Sequence, residues 1–115
     1  MSFETVLLNI EQGVALLTLN LPHTRNAFNK ALLRDLHAAL DQVAGDTEVR
    51  ALILTGAGAG FCGGADLGVG FSSDPRARAD AGADNLRDAI NPLAVKIRAL
   101  PFPVISAVNG AAAGA

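Results

Sequence analysis

The sequence predicts an α/β fold, and three observations support this class. Short apolar runs of strand composition lie near the beginning, in the middle and near the end of the chain. Two longer segments have apolar residues at every third or fourth position, which is the spacing of a helix with one buried face. Two of the apolar runs also lead directly into glycine-rich turns, which mark the end of a strand.

The composition indicates a folded domain. The chain has 115 residues, of which 50% are hydrophobic and 17% charged, and this balance argues against disorder. A formal net charge of −2 gives no basis for binding nucleic acid or an anionic membrane. No apolar stretch approaches the roughly 20 residues that span a bilayer, and no signal peptide is visible. The single cysteine excludes an internal disulfide and a multi-cysteine metal site, so we expect a cytoplasmic protein without a metal.

Two strands are predicted in the first 20 residues, at 5–10 and 14–20, with a hairpin turn at 11–13 that ends in Gly13. Both runs are more continuously apolar than alternating, which predicts that both faces of each strand are covered. Pro22 ends the second strand, because proline has no N–H to donate to a neighbouring strand.

A helix is predicted over residues 30–44, with Asn29 as its N-cap and Gly45 as its stop. Its apolar residues share one face and its charged residues fall elsewhere: Leu32, Leu33, Leu36, Leu40 and Val43 against Arg34, Asp35 and Asp41. A buried strand follows at residues 51–55. Because a helix separates this strand from the previous one, the two should pair in parallel through a right-handed crossover.

The second half of the chain contains a predicted loop, helix and strand. Residues 68–83 show no period and read as a surface loop. A helix is predicted from about residue 84 to residue 100, where Pro92 kinks it or starts a second segment capped by Asn91. A third core strand should follow at residues 104–108.

The two glycine-rich turns suggest a site. One follows the strand at 51–55 and leads towards Ala65, and the other begins at Asn109 and leads through residues 111–115 as a helix start. Each places main-chain N–H groups just beyond a strand, and two converging N–H donors are what an oxyanion hole requires. Glycines that merely permit tight packing of a helix on a sheet are the alternative interpretation.

A nucleotide site is a competing hypothesis, because Gly58 to Gly63 satisfies the pattern G-x-G-x-x-G. The match does not lie at the first strand of a βαβ unit, and Asp80 and Asp84 do not end a following strand, as a dinucleotide site would require. A non-catalytic, truncated homologue or assembly partner is a further alternative.

The reactive side chains give little evidence of a catalytic or metal-binding group. Cys62 has no basic neighbour that would activate it as a nucleophile, so a buried packing role is favoured. The sequence places no second metal-ligand residue at ligand spacing from His23 or His37, so both are expected to be structural or to face solvent. Asp66 is a candidate acid or base, or a cap of the turn. No carboxylate pair or metal cluster is visible.

Three segments resemble the crotonase (enoyl-CoA hydratase/isomerase) superfamily in their order and spacing: residues 19–29, 51–67 and 101–115. The resemblance implies a crotonase-like spiral of ββα turns, of which residues 1–115 would form the N-terminal, incomplete part of one domain. Residues 91–93 and 113–115 look most like members that act in phenylacetyl-CoA breakdown.

The resemblance also implies an acyl-CoA substrate, no separate cofactor, and a homotrimer or dimer of trimers. The thioester oxygen would be held by the main-chain N–H groups of Ala65 and Ala115. Contacts to the CoA part would come from a second group: Arg25, Ala27, Phe28, Gly64, Asp66, Leu67 and Gly114. The family's acid/base carboxylates would follow Ala115, so the choice between hydratase, isomerase and other branches stays open, and the 115 residues alone are expected to be inactive.

Overall fold

The computed structural model describes residues 3–64 and 90–114 of the chain. Its elements, in order, are β1 (Val6–Glu11), β2 (Val14–Leu19), a 3₁₀ helix (Pro22–Thr24), α1 (Lys30–Ala44), β3 (Ala51–Gly56), β4 (Gly60–Cys62), α2 (Asn91–Ala99), β5 (Val104–Ser106) and β6 (Ala111–Ala112). The predicted α/β class is confirmed. Within the described ranges, neither helix combines the length and the hydropathy needed to cross a membrane.

Four strands form one sheet in the order β1-β2-β3-β5. β1 and β2 are antiparallel, whereas β2 with β3 and β3 with β5 are parallel, so the predicted parallel pairing after α1 is confirmed. Glu11 pairs with Val14, which leaves Gln12 and Gly13 as a two-residue turn with φ of 51° and 81°. Two successive positive φ values match the twist of a tight hairpin.

The expectation that both faces of the first two strands are covered is wrong for the described structure. On β2, Ala15, Leu17 and Leu19 are buried beneath α1, while Val14 and Leu16 alternate with them and are 37% exposed. Strand side chains alternate between the two faces of a sheet. Because the outward positions also hold apolar residues, hydropathy alone did not reveal which face is open.

β5 likewise departs from the predicted core strand. It ends at Ser106, and Ile105 and Val108 are 52% and 58% exposed among the described residues. It pairs with β3 and is the outermost strand of the four described, so one of its edges has no neighbour in this sheet. An apolar run therefore predicted the strand correctly but not its exposure.

Helix α1 has the predicted limits because both of its ends are determined locally. The Asn29 side chain accepts a hydrogen bond from the Leu32 N–H at 2.8 Å, as an N-cap does. At the other end, the Gly45 N–H donates to the Asp41 carbonyl at 3.1 Å. The apolar face between these ends packs on the sheet and supplies much of the core.

Asp35 departs from the predicted polar face of α1. Its side chain is buried and accepts hydrogen bonds from the Thr5 N–H at 3.0 Å and the Thr5 hydroxyl at 2.7 Å. Burial raises the pKa of the Asp35 carboxyl, but the bonds from Thr5 and the neighbouring Arg34 outweigh it and hold the pKa below its ordinary value. Asp35 therefore connects the middle of α1 to the residue that precedes β1.

Helix α2 begins at Asn91, with Pro92 in its first turn, as expected for the start of a helical segment. Asn91 is not the N-cap, however, because the preceding Ile90 already has helical backbone angles and no side chain caps this end. The rest of the predicted helix, residues 84–89, and the predicted loop at 68–83 lie outside the described residues.

β4 and β6 were not predicted as strands. Residues 60–62 were expected to belong to a glycine-rich loop and residues 111–115 to start a helix, yet Gly60 and Cys62 pair in parallel with Ala111 and Ala112. Glycine and alanine have low strand propensity, and the partner of each segment lies about 50 positions away, so no local pattern indicated this pairing.

We predict that Asp35→Asn lowers the free energy of unfolding at pH 7 by about 1–2 kcal/mol, because neutral asparagine accepts weaker hydrogen bonds from Thr5. A depressed folded-state pKa stabilises the fold above the unfolded value near ~3.9 and stops doing so as pH falls through the folded-state pKa. Urea unfolding at pH 7 and at about pH 2.5 should therefore show a difference from wild type that shrinks in acid. The control is Asp41→Asn, whose exposed pair with Lys96 contributes at most about 1 kcal/mol. An equal difference at both pH values would contradict the assignment.

We also predict opposite effects of alanine at two glycines. Gly13 has φ of 81°, and a Cβ there would lie 2.9 Å from the Arg50 side chain, so Gly13→Ala should lower the free energy of unfolding by about 1 kcal/mol or more. Gly45 has φ of −87°, and a Cβ there would lie 3.5 Å from its nearest neighbour, the Asp41 carbonyl oxygen. Gly45→Ala should therefore be neutral or raise the free energy of unfolding by up to about 1 kcal/mol. Urea midpoints that shift in the same direction for both variants would refute the distinction between the two glycines.

Candidate functional site

The turn between β3 and β4, residues 57–59, is held from one side by the side chain of Asn26. This side chain is completely buried. Its Nδ2 donates to the carbonyls of Ala57 at 3.1 Å and Gly60 at 2.9 Å, and its Oδ1 accepts from the Leu21 N–H at 2.8 Å. A buried amide whose donors and acceptor are all bonded gives the turn one fixed position.

Asn109, which lies between β5 and β6, contacts the same turn from the other side. Its Oδ1 accepts from the Gly56 N–H at 3.1 Å, whereas the nearby Thr55 hydroxyl donates its single hydrogen to the Ala107 carbonyl at 2.8 Å. Its Nδ2 donates to the carbonyls of Gly58 at 3.1 Å and Gly60 at 3.4 Å. The segment after β5 is thereby fixed against the segment after β3.

Three glycines permit this close approach. Gly58 has φ of 81°, which is costly for any residue with a side chain. A Cβ on Gly56 would lie 2.6 Å from the Phe61 carbonyl oxygen, and a Cβ on Gly110 would collide with the carbonyl oxygen of Ala59. The glycines are therefore needed for contacts between main chains.

Beyond β4 and β6, the two segments come together at Gly64 and Gly114. The Ala113 N–H donates to the Cys62 carbonyl at 3.0 Å. A Cβ built on Gly64 would lie 3.1 Å from the Ala113 carbonyl oxygen and 3.9 Å from the Gly114 Cα. Both glycines have positive φ, 88° and 64°. The residues that directly precede positions 65 and 115 are thus in contact.

Residues 25–28 lie along the segment that follows β4. The Gly63 N–H donates to the Arg25 carbonyl at 2.8 Å, and the Phe28 N–H donates to the Gly64 carbonyl at 2.6 Å. Arg25 has a left-handed backbone, with φ of 53°, and an exposed side chain. Phe28 is buried in the core, and Ala27 between them is half-buried.

The structure therefore brings together five of the predicted site residues: Arg25, Ala27, Phe28, Gly64 and Gly114. The remaining four, Ala65, Asp66, Leu67 and Ala115, lie outside the described residues. The convergence of the main-chain N–H groups at 65 and 115 stays a prediction.

The structure describes three of the reactive side chains, those of Cys62, His23 and His37. Cys62 is buried on β4, which confirms the packing interpretation. His23 is exposed on the 3₁₀ helix and His37 is half-buried on α1. Over residues 3–64 and 90–114, no three His, Cys, Asp or Glu side chains are placed to hold a metal ion.

A cavity of about 140 Å³ lies between α1, α2 and the sheet. Its lining is mostly apolar and consists of Leu19, Phe28, Leu36, Leu40, Leu54, Phe61, Cys62, Ile90, Leu93, Ala94 and Ile97. Such a lining offers room for an apolar group but no acid, base or anion donor.

Asn26 and Asn109 are the structural residues of the site that sequence reasoning missed. The sequence pattern gives Asn26 no role and Asn109 only that of a turn residue. Short amide side chains in turns often bond to nearby main-chain groups, which is the available signal for Asn109 before Gly110. It does not identify the partners on residues 56–60, which lie 31 to 53 positions away along the chain.

The sequence profile described as Enoyl-CoA hydratase/isomerase matches residues 9–115. A Rhodobacter capsulatus protein named "Probable enoyl-CoA hydratase" is 43% identical over 115 residues, covering 100% of this chain and 42% of its own length. The 1,2-epoxyphenylacetyl-CoA isomerase of Escherichia coli K12 is 45% identical over 112 residues, covering 97% of this chain and 42% of its own length. The chain thus spans less than half of either relative.

Comparison with a solved structure points to the same family. The crystal structure of an enoyl-CoA hydratase/isomerase from Xanthobacter autotrophicus Py2 aligns with a TM-score of 0.80 at 33% identity, covering 95% of this chain and 40% of that chain. The described residues therefore form a partial crotonase fold, and the position of the match corresponds to the N-terminal part of the longer relatives. Because the profile, the relatives and the fold agree, this chain belongs to the enoyl-CoA hydratase/isomerase family.

Proposed function

We propose that the protein containing this chain acts on acyl-CoA thioesters and that the main-chain N–H groups of Ala65 and Ala115 stabilise the thioester oxygen as it becomes negative. The observation that carries this proposal is the contact between Gly64 and Gly114 at the ends of β4 and β6. Each proposed donor is one planar peptide unit beyond a Cα of this contact. The two donor nitrogens are therefore each bonded to a residue, Gly64 or Gly114, that lies next to the other.

Main-chain donors suit this chemistry. An enolate-like oxygen next to a thioester is stabilised by fixed N–H dipoles, which require no reorganisation when the charge develops. One such donor is typically worth about 10²–10³ in rate. The hydrogen bonds of Asn26 and Asn109 hold the two segments that lead to these donors, and a fixed geometry is what makes such dipoles effective.

We further propose that residues 25–28 contact the CoA part of the substrate together with Gly64, Asp66, Leu67 and Gly114. Arg25 supports this assignment because its exposed guanidinium can bind a phosphate, while its carbonyl is fixed by Gly63. The Phe28 ring packs in the core, so its contribution would come from its main chain.

For the reaction, we propose hydration or isomerisation of an enoyl-CoA or related thioester, without a separate cofactor. The name of the E. coli relative, 1,2-epoxyphenylacetyl-CoA isomerase, favours testing an aromatic acyl group first. A cytoplasmic homotrimer or dimer of trimers, with acid/base carboxylates that follow Ala115, completes the proposal.

The structure of the turn at Gly58 to Gly63 argues against the alternative of a nucleotide-binding site. In a dinucleotide site the glycine pattern opens a helix whose N-terminus binds the phosphates. Here Gly60–Cys62 is a strand, and the carbonyls of Gly58 and Gly60 accept hydrogen bonds from Asn109 within the turn. No helix begins in the described part of this segment, residues 56–64.

We predict that the complete gene product binds an acyl-CoA thioester and shows no measurable affinity for NAD or ATP. Calorimetric titration with crotonyl-CoA, an aromatic acyl-CoA, NAD and ATP in parallel measures this preference. Free CoA is the matched control, because it keeps the nucleotide and pantetheine but lacks the thioester carbonyl that the two donors would bind. Binding of NAD in preference to every acyl-CoA would overturn the proposed function.

We predict that Gly64→Ala lowers kcat for the acyl-CoA reaction by about 10²-fold, because an added Cβ at φ of 88° and 3.1 Å from the Ala113 carbonyl would displace the following N–H. Gly63→Ala is the neighbouring control. Its Cβ would lie 3.4 Å from its nearest neighbour, the Arg25 carbonyl oxygen, and this variant should keep most of the activity. Equal losses in both variants, measured by steady-state kinetics, would argue against a specific role of position 64.

A further inference from the structure

We infer that Asn109 is a positioning residue that sets the separation of the two proposed N–H donors. The hydrogen bonds between its side chain and residues 56, 58 and 60 are named the Asn109 bridge here. The inference rests on the proposed function and adds to it a residue that contacts neither the donors nor, as we infer, the substrate.

The Asn109 bridge uses both ends of the amide. The oxygen accepts from the Gly56 N–H, and the nitrogen donates to the Gly58 and Gly60 carbonyls. These three bonds reach the last residue of β3, the turn and the first residue of β4, so together they determine both the position and the orientation of the turn. Replacing the nitrogen with an acceptor would break two of them.

The Asn109 bridge connects the two segments that lead to the donors. Gly60 is the first residue of β4, which runs towards Gly64, whereas Asn109 precedes β6, which runs towards Gly114. The Gly60 carbonyl accepts from Asn26 at 2.9 Å as well as from Asn109 at 3.4 Å. Asn26 therefore fixes the turn to its own segment, and Asn109 fixes the two donor segments to each other.

Asn26 and Asn109 differ in solvent exposure, and this difference distinguishes a residue needed for global stability from one that positions the two segments. Asn26 is completely buried, so its loss would leave main-chain groups unsatisfied in the core and destabilise the whole fold. Asn109 is exposed, and water can replace its bonds when the side chain is removed. Loss of the Asn109 bridge should thus loosen the two segments more than it lowers global stability, which makes Asn109 the informative position to change.

The test compares Asn109→Asp with wild type in the complete gene product. Aspartate has nearly the same shape and keeps an acceptor for Gly56, but its second oxygen faces the carbonyls of Gly58 and Gly60 and repels them. Asn109→Ala removes all three bonds without adding repulsion. Asp35→Asn serves as the control, because it weakens the α1–Thr5 connection on a different part of the fold.

Two measurements are read together. Amide hydrogen exchange in residues 60–64 and 111–114 should become about tenfold faster in both Asn109 variants while α1 stays protected. In steady-state kinetics with an acyl-CoA substrate, kcat should fall about 10- to 100-fold with KM changed less than about threefold, because misplaced donors weaken transition-state binding in particular. Asp35→Asn should leave both the local exchange and kcat near the wild-type values.

Unchanged exchange at 60–64 and 111–114, or a uniform increase that includes α1, would overturn the inference. So would a fall in kcat that Asp35→Asn reproduces at equal loss of stability. A wild-type protein that processes no acyl-CoA would contradict the proposed function instead, and the exchange result alone would then decide whether the Asn109 bridge holds the two segments together.

Discussion

The geometry of the candidate site depends on one carbonyl group, that of Gly60, which accepts hydrogen bonds from two asparagine amides. Asn26 reaches it from the segment after β2, and Asn109 reaches it from the segment after β5. Three stretches of chain that are far apart in sequence meet at this point. The four-stranded sheet brings them near one another, and the two amides turn proximity into a defined geometry. The pairing of β4 with β6 begins at the same residue.

Local signals explain which parts of the fold could be predicted from the sequence. The limits of α1 were marked in the sequence by Asn29, which caps the helix, and by Gly45, and the β1–β2 hairpin follows from a turn that ends in Gly13. β4 and β6 escaped prediction because each is defined by the other and not by its own composition. Asp35 escaped for a related reason: its partner, Thr5, lies 30 positions away, and nothing near it in the sequence indicates burial.

The candidate site could be predicted only in part for a comparable reason. The glycines in the sequence indicated a close approach between two main-chain segments, and the structure brings Gly64 and Gly114 close together. The side chains that hold the glycine-rich turn were not recognised, because asparagine is also an ordinary turn residue. Main-chain N–H donors do not require particular side chains at their own positions. The side chains that hold the donor segments in place are therefore the better sequence indicators of such a site.

The parallel pairing of β4 with β6 also has a consequence for the order in which this protein acquires its structure during synthesis. The hairpin, α1 and β3 lie within the first 56 residues and contact one another directly, so they can assemble early. Residues 60–64 can bond to Asn26, Arg25 and Phe28 early, but β4 can pair with β6 only after positions 109–114 have left the ribosome. Closing a long loop delays such contacts. Among the described residues, the most finely positioned part is therefore expected to form after the hairpin, α1 and β3, on a scaffold that is already in place.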